Sequence, residues 1–262
     1  MKIKQVTTFL EEFAPLEYQE SYDNCGLIVG DAKSAVKGAL ITLDCTEEIV
    51  DEAIATGCNL IIAHHPIIFS GLKKLNGSNY IERTVIKAIK NDIAIYAFHT
   101  NLDNVHNGVS AKIADKIGLV NCKVLTPKFT ENRQLIGSGI VGELKNPINS
   151  TEFLKFVKST MQTDCIRHTS IVKDEIKKVA VCGGSGSFLL KNAIEEKADI
   201  FITADFKYHE FFDAENHIII ADIGHYESEQ FTKELIYDLL TKKFTKFAFQ
   251  LSKANTNPIK YL

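Results

Sequence analysis

Gly57-Cys58-Asn59-Leu60-Ile61-Ile62-Ala63-His64-His65-Pro66 is the stretch that decides the fold of this chain. The apolar run from Leu60 to Ala63 is too short for a helix and is punctuated by a glycine and a proline. It predicts a strand buried on both faces. Pro66 has no N–H for a ladder and ends it. Upstream, Ala39–Leu43 reads as another strand, and Thr46 caps a helix through about Thr56. Downstream come a helix over Tyr80–Lys90, a strand over Ile93–Phe98 and a helix over Gly108–Ile117. Strands alternating with helices predict α/β architecture with mainly parallel sheets covered by helices.

The same grammar returns later in the chain. Lys178–Cys182, Ile200–Thr203 and Ile218–Ala221 read as strands, and Ser187–Glu196, His209–Ala214 and Glu227–Leu240 as helices. Lys197-Ala198-Asp199-Ile200-Phe201-Ile202-Thr203 parallels the opening stretch, and Glu215-Asn216-His217-Ile218-Ile219-Ile220-Ala221 parallels Asn91-Asp92-Ile93-Ala94-Ile95-Tyr96-Ala97. We read two similar α/β domains and an internal duplication. Turn signals at Thr126-Pro127, Gly137-Ser138-Gly139 and Asn146-Pro147 surround one strand, Ser138–Leu144, and put the boundary near Leu125. The expected domains are 1–125 with 225–262, and 126–224. Phe244–Leu251 alternates and reads as a final strand.

Composition narrows the function classes. The 262 residues include 30 Lys+Arg against 33 Asp+Glu, a net charge of −3, so no electrostatic footprint for nucleic acid is visible. With 45% hydrophobic and 24% charged residues, the chain is globular rather than disordered or collagen-like. No run of about 18 apolar residues spans a membrane, and the start lacks a signal peptide. Six dispersed cysteines, with no C-x-x-C pair, suit a reducing compartment. The expectation is a cytoplasmic protein.

Chemistry concentrates at strand ends, where open α/β sheets bind ligands. His64 and His65 follow one strand; two unremarkable loop histidines are the alternative. His99-Thr100-Asn101-Leu102-Asp103 follows another. After the last strand, His225 and Glu229 stand four apart and share a helix face, the spacing of a chelating pair. A favourable helix dipole explains Glu227 and Glu229 without a metal, but not His225. His64, His65, Asp103, His225 and Glu229 together exceed the three protein ligands of a mononuclear zinc site. They suit two divalent ions about 3.5–4 Å apart. Imidazole with carboxylate favours zinc, iron, manganese or nickel.

Cys182-Gly183-Gly184-Ser185-Gly186-Ser187 reads as a strand, a glycine turn and a helix. Gly183, Gly184, Ser185 and Gly186 either cradle a substrate phosphate through bare amides or make a tight structural turn. No lysine of a phosphate-binding loop follows.

These motifs, together with Tyr22-Asp23-Asn24-Cys25-Gly26-Leu27-Ile28-Val29-Gly30, resemble the GTP cyclohydrolase 1 type 2 homologue family, also called the Nif-three-like family. The resemblance covers nearly the whole chain. It implies two similar α/β domains with a dinuclear metal centre in the interdomain cleft, the five ligands named above, and a toroidal homohexamer. It also implies the short form, without the domain inserted in longer members. Tyr22 stands where relatives usually carry Trp, and Ala204-Asp205 where they usually carry Gly-Glu.

The expected function is a metal-dependent hydrolase acting on a nucleotide, with water activated by the ions opening the GTP imidazole ring and releasing formate. His99 is the candidate proton shuttle and Glu229 the candidate bridge. A metal-dependent phosphoesterase would use the same parts. A non-enzymatic metal chaperone or regulatory interaction protein is the alternative from another class.

Overall fold

In a computed structural model, residues 1–130, 132 and 134–262 are described. The buried tetrapeptide Leu60–Ala63 is a strand with every residue buried. In chain order the first elements are α1 (Ile3–Phe13), β1 (Gly26–Val29), β2 (Ala39–Thr42), α2 (Glu47–Thr56), β3 (Leu60–Ala63), α3 (Tyr80–Lys90) and β4 (Ala94–Ala97). Then come α4 (Thr100–Asp103), α5 (Val109–Ile117), β5 (Val120–Phe129), β6 (Leu135–Asn149), α6 (Ser150–Thr160), β7 (Arg167–His168) and β8 (Glu175–Ser185). The last are α7 (Leu190–Glu195), β9 (Ile200–Ala204), β10 (Ile219–Asp222), α8 (His225–Glu229), α9 (Thr232–Lys243) and β11 (Phe249–Leu251). They form two compact units, Met1–Leu102 with Thr232–Pro258, and Asp103–Phe231 with Ile259–Leu262.

The first unit is a sheet in the order β1-β4-β3-β2-β11. All its pairings are parallel except β1 with β4. Helix α2 starts where Thr46 Oγ1 accepts from the Ile49 amide at 3.4 Å, with Glu47 and Glu48 in its first turn. It stops at Gly57, whose φ of 71° suits the left-handed cap. That cap returns the chain directly into β3. Leu40, Ile49, Ile61, Val85 and Ile95 are buried in one core cluster. Burial of each such side chain contributes about 1.5–3 kcal/mol before entropy is counted. The parallel register sets Ala63 beside both Thr42 and Ala97, so the chain leaves β3 and β4 at neighbouring points of the same sheet end.

The second unit is a sheet in the order β5-β6-β8-β9-β10-β7. Strands β8, β9 and β10 run parallel, and the other pairings are antiparallel. The α/β class therefore holds in both units, but this sheet is mixed. The cause is the short link between Phe129 and Leu135, which joins β5 to β6 as a hairpin; a parallel pair needs a longer crossover. The sequence parallel between the halves has a structural counterpart: β2-β3-β4 and β8-β9-β10 are each three adjacent parallel strands with the matched apolar run in the middle.

Several expected bounds move. The division between units falls at Leu102 and Asp103 instead of near Leu125, because α5 packs its Ile113, Ala114 and Ile117 into the core of the second sheet. Residues 225–231 belong to the second unit for the same reason, Phe231 being part of that core. The helix expected over Glu227–Leu240 is two helices, α8 and α9, parted at the unit division. The tail forms strand only at Phe249–Leu251. Helix α6, capped by Asn149 and burying Phe153, Leu154 and Val157, has no counterpart among the expected elements. No helix among the described residues is long and apolar enough to cross a membrane. The six cysteines are free thiols.

Candidate metal centre

In the first unit the adjacent ends of β3 and β4 bring three imidazoles together. The backbone ladder continues past the strands, with the His64 amide donating to Thr42 O, His65 to Leu43 O and Phe98 to Ala63 O. His64, His65 and His99 then form a near-equilateral triangle, with ring centroids 4.9, 5.2 and 5.3 Å apart. One ring nitrogen of each lies within 4.8 Å of the others.

Each ring is oriented through Nδ1. His64 Nδ1 donates to Phe98 O at 2.8 Å, His65 Nδ1 to Asp44 Oδ1 at 2.7 Å, and His99 Nδ1 to Asp23 Oδ1 at 2.8 Å. A carbonyl or carboxylate oxygen can only accept, so the proton sits on Nδ1 and Nε2 carries the lone pair. That is the arrangement of metal-ligating histidines, whose second nitrogen is held by an oxygen acceptor. Asp23 is buried to 0% side-chain exposure. Burial alone would raise its carboxyl, but hydrogen bonds from His99, Thr100 and Cys25 hold it below the usual carboxylate range.

In the second unit, α8 presents His225 and Glu229 one turn apart, with Nε2 and Oε2 3.1 Å from each other. His225 Nδ1 donates to Asp205 Oδ2 at 2.7 Å, and Asp205 also accepts from Ser185 Oγ. The Glu229 charge, opposed by burial and helped by the bond to Asp205, pushes the His225 imidazole up to about 11. Asp103 ends α4. Burial first, then the charges of Asp103 and Glu229, push the Cys182 thiol far above its ordinary value.

The glycine stretch serves this pair. Strand β8 runs through Ser185, and only a three-residue 3-10 turn, Ser187–Leu189, precedes α7. The expected helix N-terminus is therefore absent from this turn. The Gly184 amide donates to Ser228 Oγ at 2.9 Å, and the Gly183 amide reaches Ser110 Oγ at 3.4 Å. Those two amides already have acceptors within the protein. Gly184 has φ +61°, and a Cβ there would stand 2.4 Å from Glu229 Oε1. The absence of a side chain is what lets α8 lie against β8.

A family model described as Duf34/NIF3 (NGG1p interacting factor 3) matches residues 1–258. The chain belongs to the Duf34/NIF3 family. A Clostridium acetobutylicum relative named GTP cyclohydrolase 1 type 2 homolog is 34% identical over 230 residues, 87% of this chain and 85% of the relative. A Staphylococcus epidermidis protein of the same name is 28% identical over a 367-residue alignment covering all of both chains. The crystal structure of Staphylococcus aureus protein SA1388 superposes with a TM-score of 0.90 at 30% identity, over 100% of this chain and 99% of that one.

Within this Duf34/NIF3 chain, His64 and His65 are brought together in the first unit, and His225, Glu229 and Asp103 lie in the second. His99, read as a proton shuttle, joins the two ligand candidates as a third imidazole. Sequence reading gave no role to Asp23, Asp44 or Asp205, each of which orients one histidine from 20 or more positions away. The only signal was that Asp23 and Asp205 sit in motifs already singled out. A divalent cation fits these residues: four imidazoles have Nδ1 tied to oxygen, and a buried carboxylate stands against one of them.

Proposed function

We propose that this protein is a metal-dependent hydrolase acting on a nucleotide, with His64, His65, Asp103, His225 and Glu229 as the ligands of two divalent ions. The observation that carries the reading is the triangle of His64, His65 and His99, every Nδ1 of which is held by an oxygen acceptor. Bound ions would supply Lewis acidity, making water a nucleophile near neutral pH and polarising the atom attacked. The names of the curated relatives support GTP as the nucleotide and ring opening as the reaction.

The chain's own residues supply the rest. His99, with Nδ1 donating to Asp23, offers Nε2 as a base that accepts a proton from water and returns it to the leaving nitrogen. Asp23 stays ionised in this role and stabilises the imidazolium, as the third member of such relays does. Thr100 donates to Asp23 through both its amide, at 3.0 Å, and its hydroxyl, which fixes the carboxylate plane. His64 is fully buried, so its ring is held without competition from bulk water.

The test is to reload the metal-free protein separately with zinc, iron, manganese and nickel and to incubate each form with GTP. Formate release that is lost in His99→Ala supports the reading. Release of phosphate without formate moves it to a phosphoesterase. No product from any nucleotide under any metal leaves metal binding alone.

A further inference from the structure

Tyr22 and Phe69 carry the histidine group of the first unit outward as a run of aromatic rings. Phe69 meets His99 edge-on, with centroids 6.3 Å apart, and Tyr22 lies 6.1 Å from Phe69 at a 45° tilt. Both rings are open to solvent, Tyr22 at 63% and Phe69 at 48%. Phe69 thus stands beside the partly buried His99 with nearly half of its surface open to solvent.

The loop segments that carry the rings are nonetheless fixed. Asn24 Nδ2 donates to Ile68 O at 2.6 Å, which ties the residue two after Tyr22 to the residue before Phe69. Asp23, next to Tyr22, is buried and bonded to His99 and Thr100. The same short peptide therefore orients a metal-capable imidazole and places an aromatic ring. The uncharged π faces recognise another π face, by offset stacking and by apolar contact; a bare phosphate finds no complementary charge in them.

We propose that Tyr22 and Phe69 form the stacking platform for a planar nitrogen heterocycle, setting that ring beside His99. This rests on the hydrolase reading for the ring's later fate, but not for its binding. Tyr22 and Phe69 act by holding the ring; they donate no proton and ligate no ion.

The experiment is calorimetric titration of the full-length, zinc-loaded protein with guanosine, adenosine and uridine 5′-monophosphates, with inorganic triphosphate as a ringless control. The parent, Tyr22→Ala, Phe69→Ala and Tyr22→Trp are compared, and zinc content is measured in each. Stacking lost at one ring weakens nucleotide binding by roughly tenfold or more. Tyr22→Trp retains binding, triphosphate binding is the same in all four proteins, and zinc content does not change. Failure of the parent to bind any of the nucleotides overturns the proposal, as does undiminished nucleotide affinity in both alanine variants. A nucleotide that stacks but is never hydrolysed leaves the platform standing and removes the hydrolase reading. A nucleotide hydrolysed with unaltered affinity and rate in both alanine variants does the reverse.

Discussion

Asp44 accepts the Nδ1 hydrogen of His65 at 2.7 Å while its other oxygen accepts from Thr256 Oγ1 at 2.6 Å. A residue near the end of the chain thus steadies the carboxylate that orients a candidate ligand. The tail is held in turn by Glu52, which accepts from Ser252 Oγ at 2.6 Å and from the Lys253 amide at 2.8 Å.

Asp44→Ala should weaken zinc binding by about 10–100-fold, the usual effect of removing the group behind a ligating histidine. Thr256→Val should weaken it less, since Asp44 keeps His65. A chelator competition gives both affinities; an Asp44→Ala protein that binds zinc like the parent would show that this bond is incidental.

His65→Ala and Glu229→Ala should each lower the metal bound per chain and leave the fold intact. Elemental analysis after dialysis reads the first effect and the far-ultraviolet circular dichroism spectrum the second. Full stoichiometry in both variants contradicts the ligand assignment.

Gly184→Ala should destabilise the protein by about 1–3 kcal/mol, since a non-glycine residue at positive φ is strained and its Cβ would press on Glu229. Urea denaturation measures the loss. Serine at the same position should be no better, because the clash is with the β-carbon.

Alkylation should rank the thiols by burial. Burial pushes the Cys25 and Cys45 thiols up to about 12, with Asp23 adding to the first and Asp44 to the second. Cys122 is exposed. At pH 8, iodoacetamide should modify Cys122 well before Cys25, Cys45 or Cys182, as read by peptide mass spectrometry. Early labelling of Cys45 would mean that the first unit opens readily around β2.

Much of the fold is legible in the residues themselves. The bounds of β3 and α3 agree with the sequence reading at both ends, because a buried apolar tetrapeptide and a capped amphipathic helix are local patterns. The imidazoles and carboxylates at strand ends were legible for the same reason: a strand that stops at Ala63 or Ala97 hands its next residues to that end of the sheet. The need for glycine at position 184 was not legible, since it comes from Glu229, 45 positions later.

The sequence by itself determined the α/β alternation and the kinds of ligand atom available at the strand ends, because apolar period, caps and turn residues act within a few positions. Only the tertiary structure decided the unit division, the mixed second sheet and the pairing of His99 with Asp23, His65 with Asp44 and His225 with Asp205. Those partners lie 76, 21 and 20 positions apart. Strand order and register carry them together, and neither is encoded in any one stretch of residues.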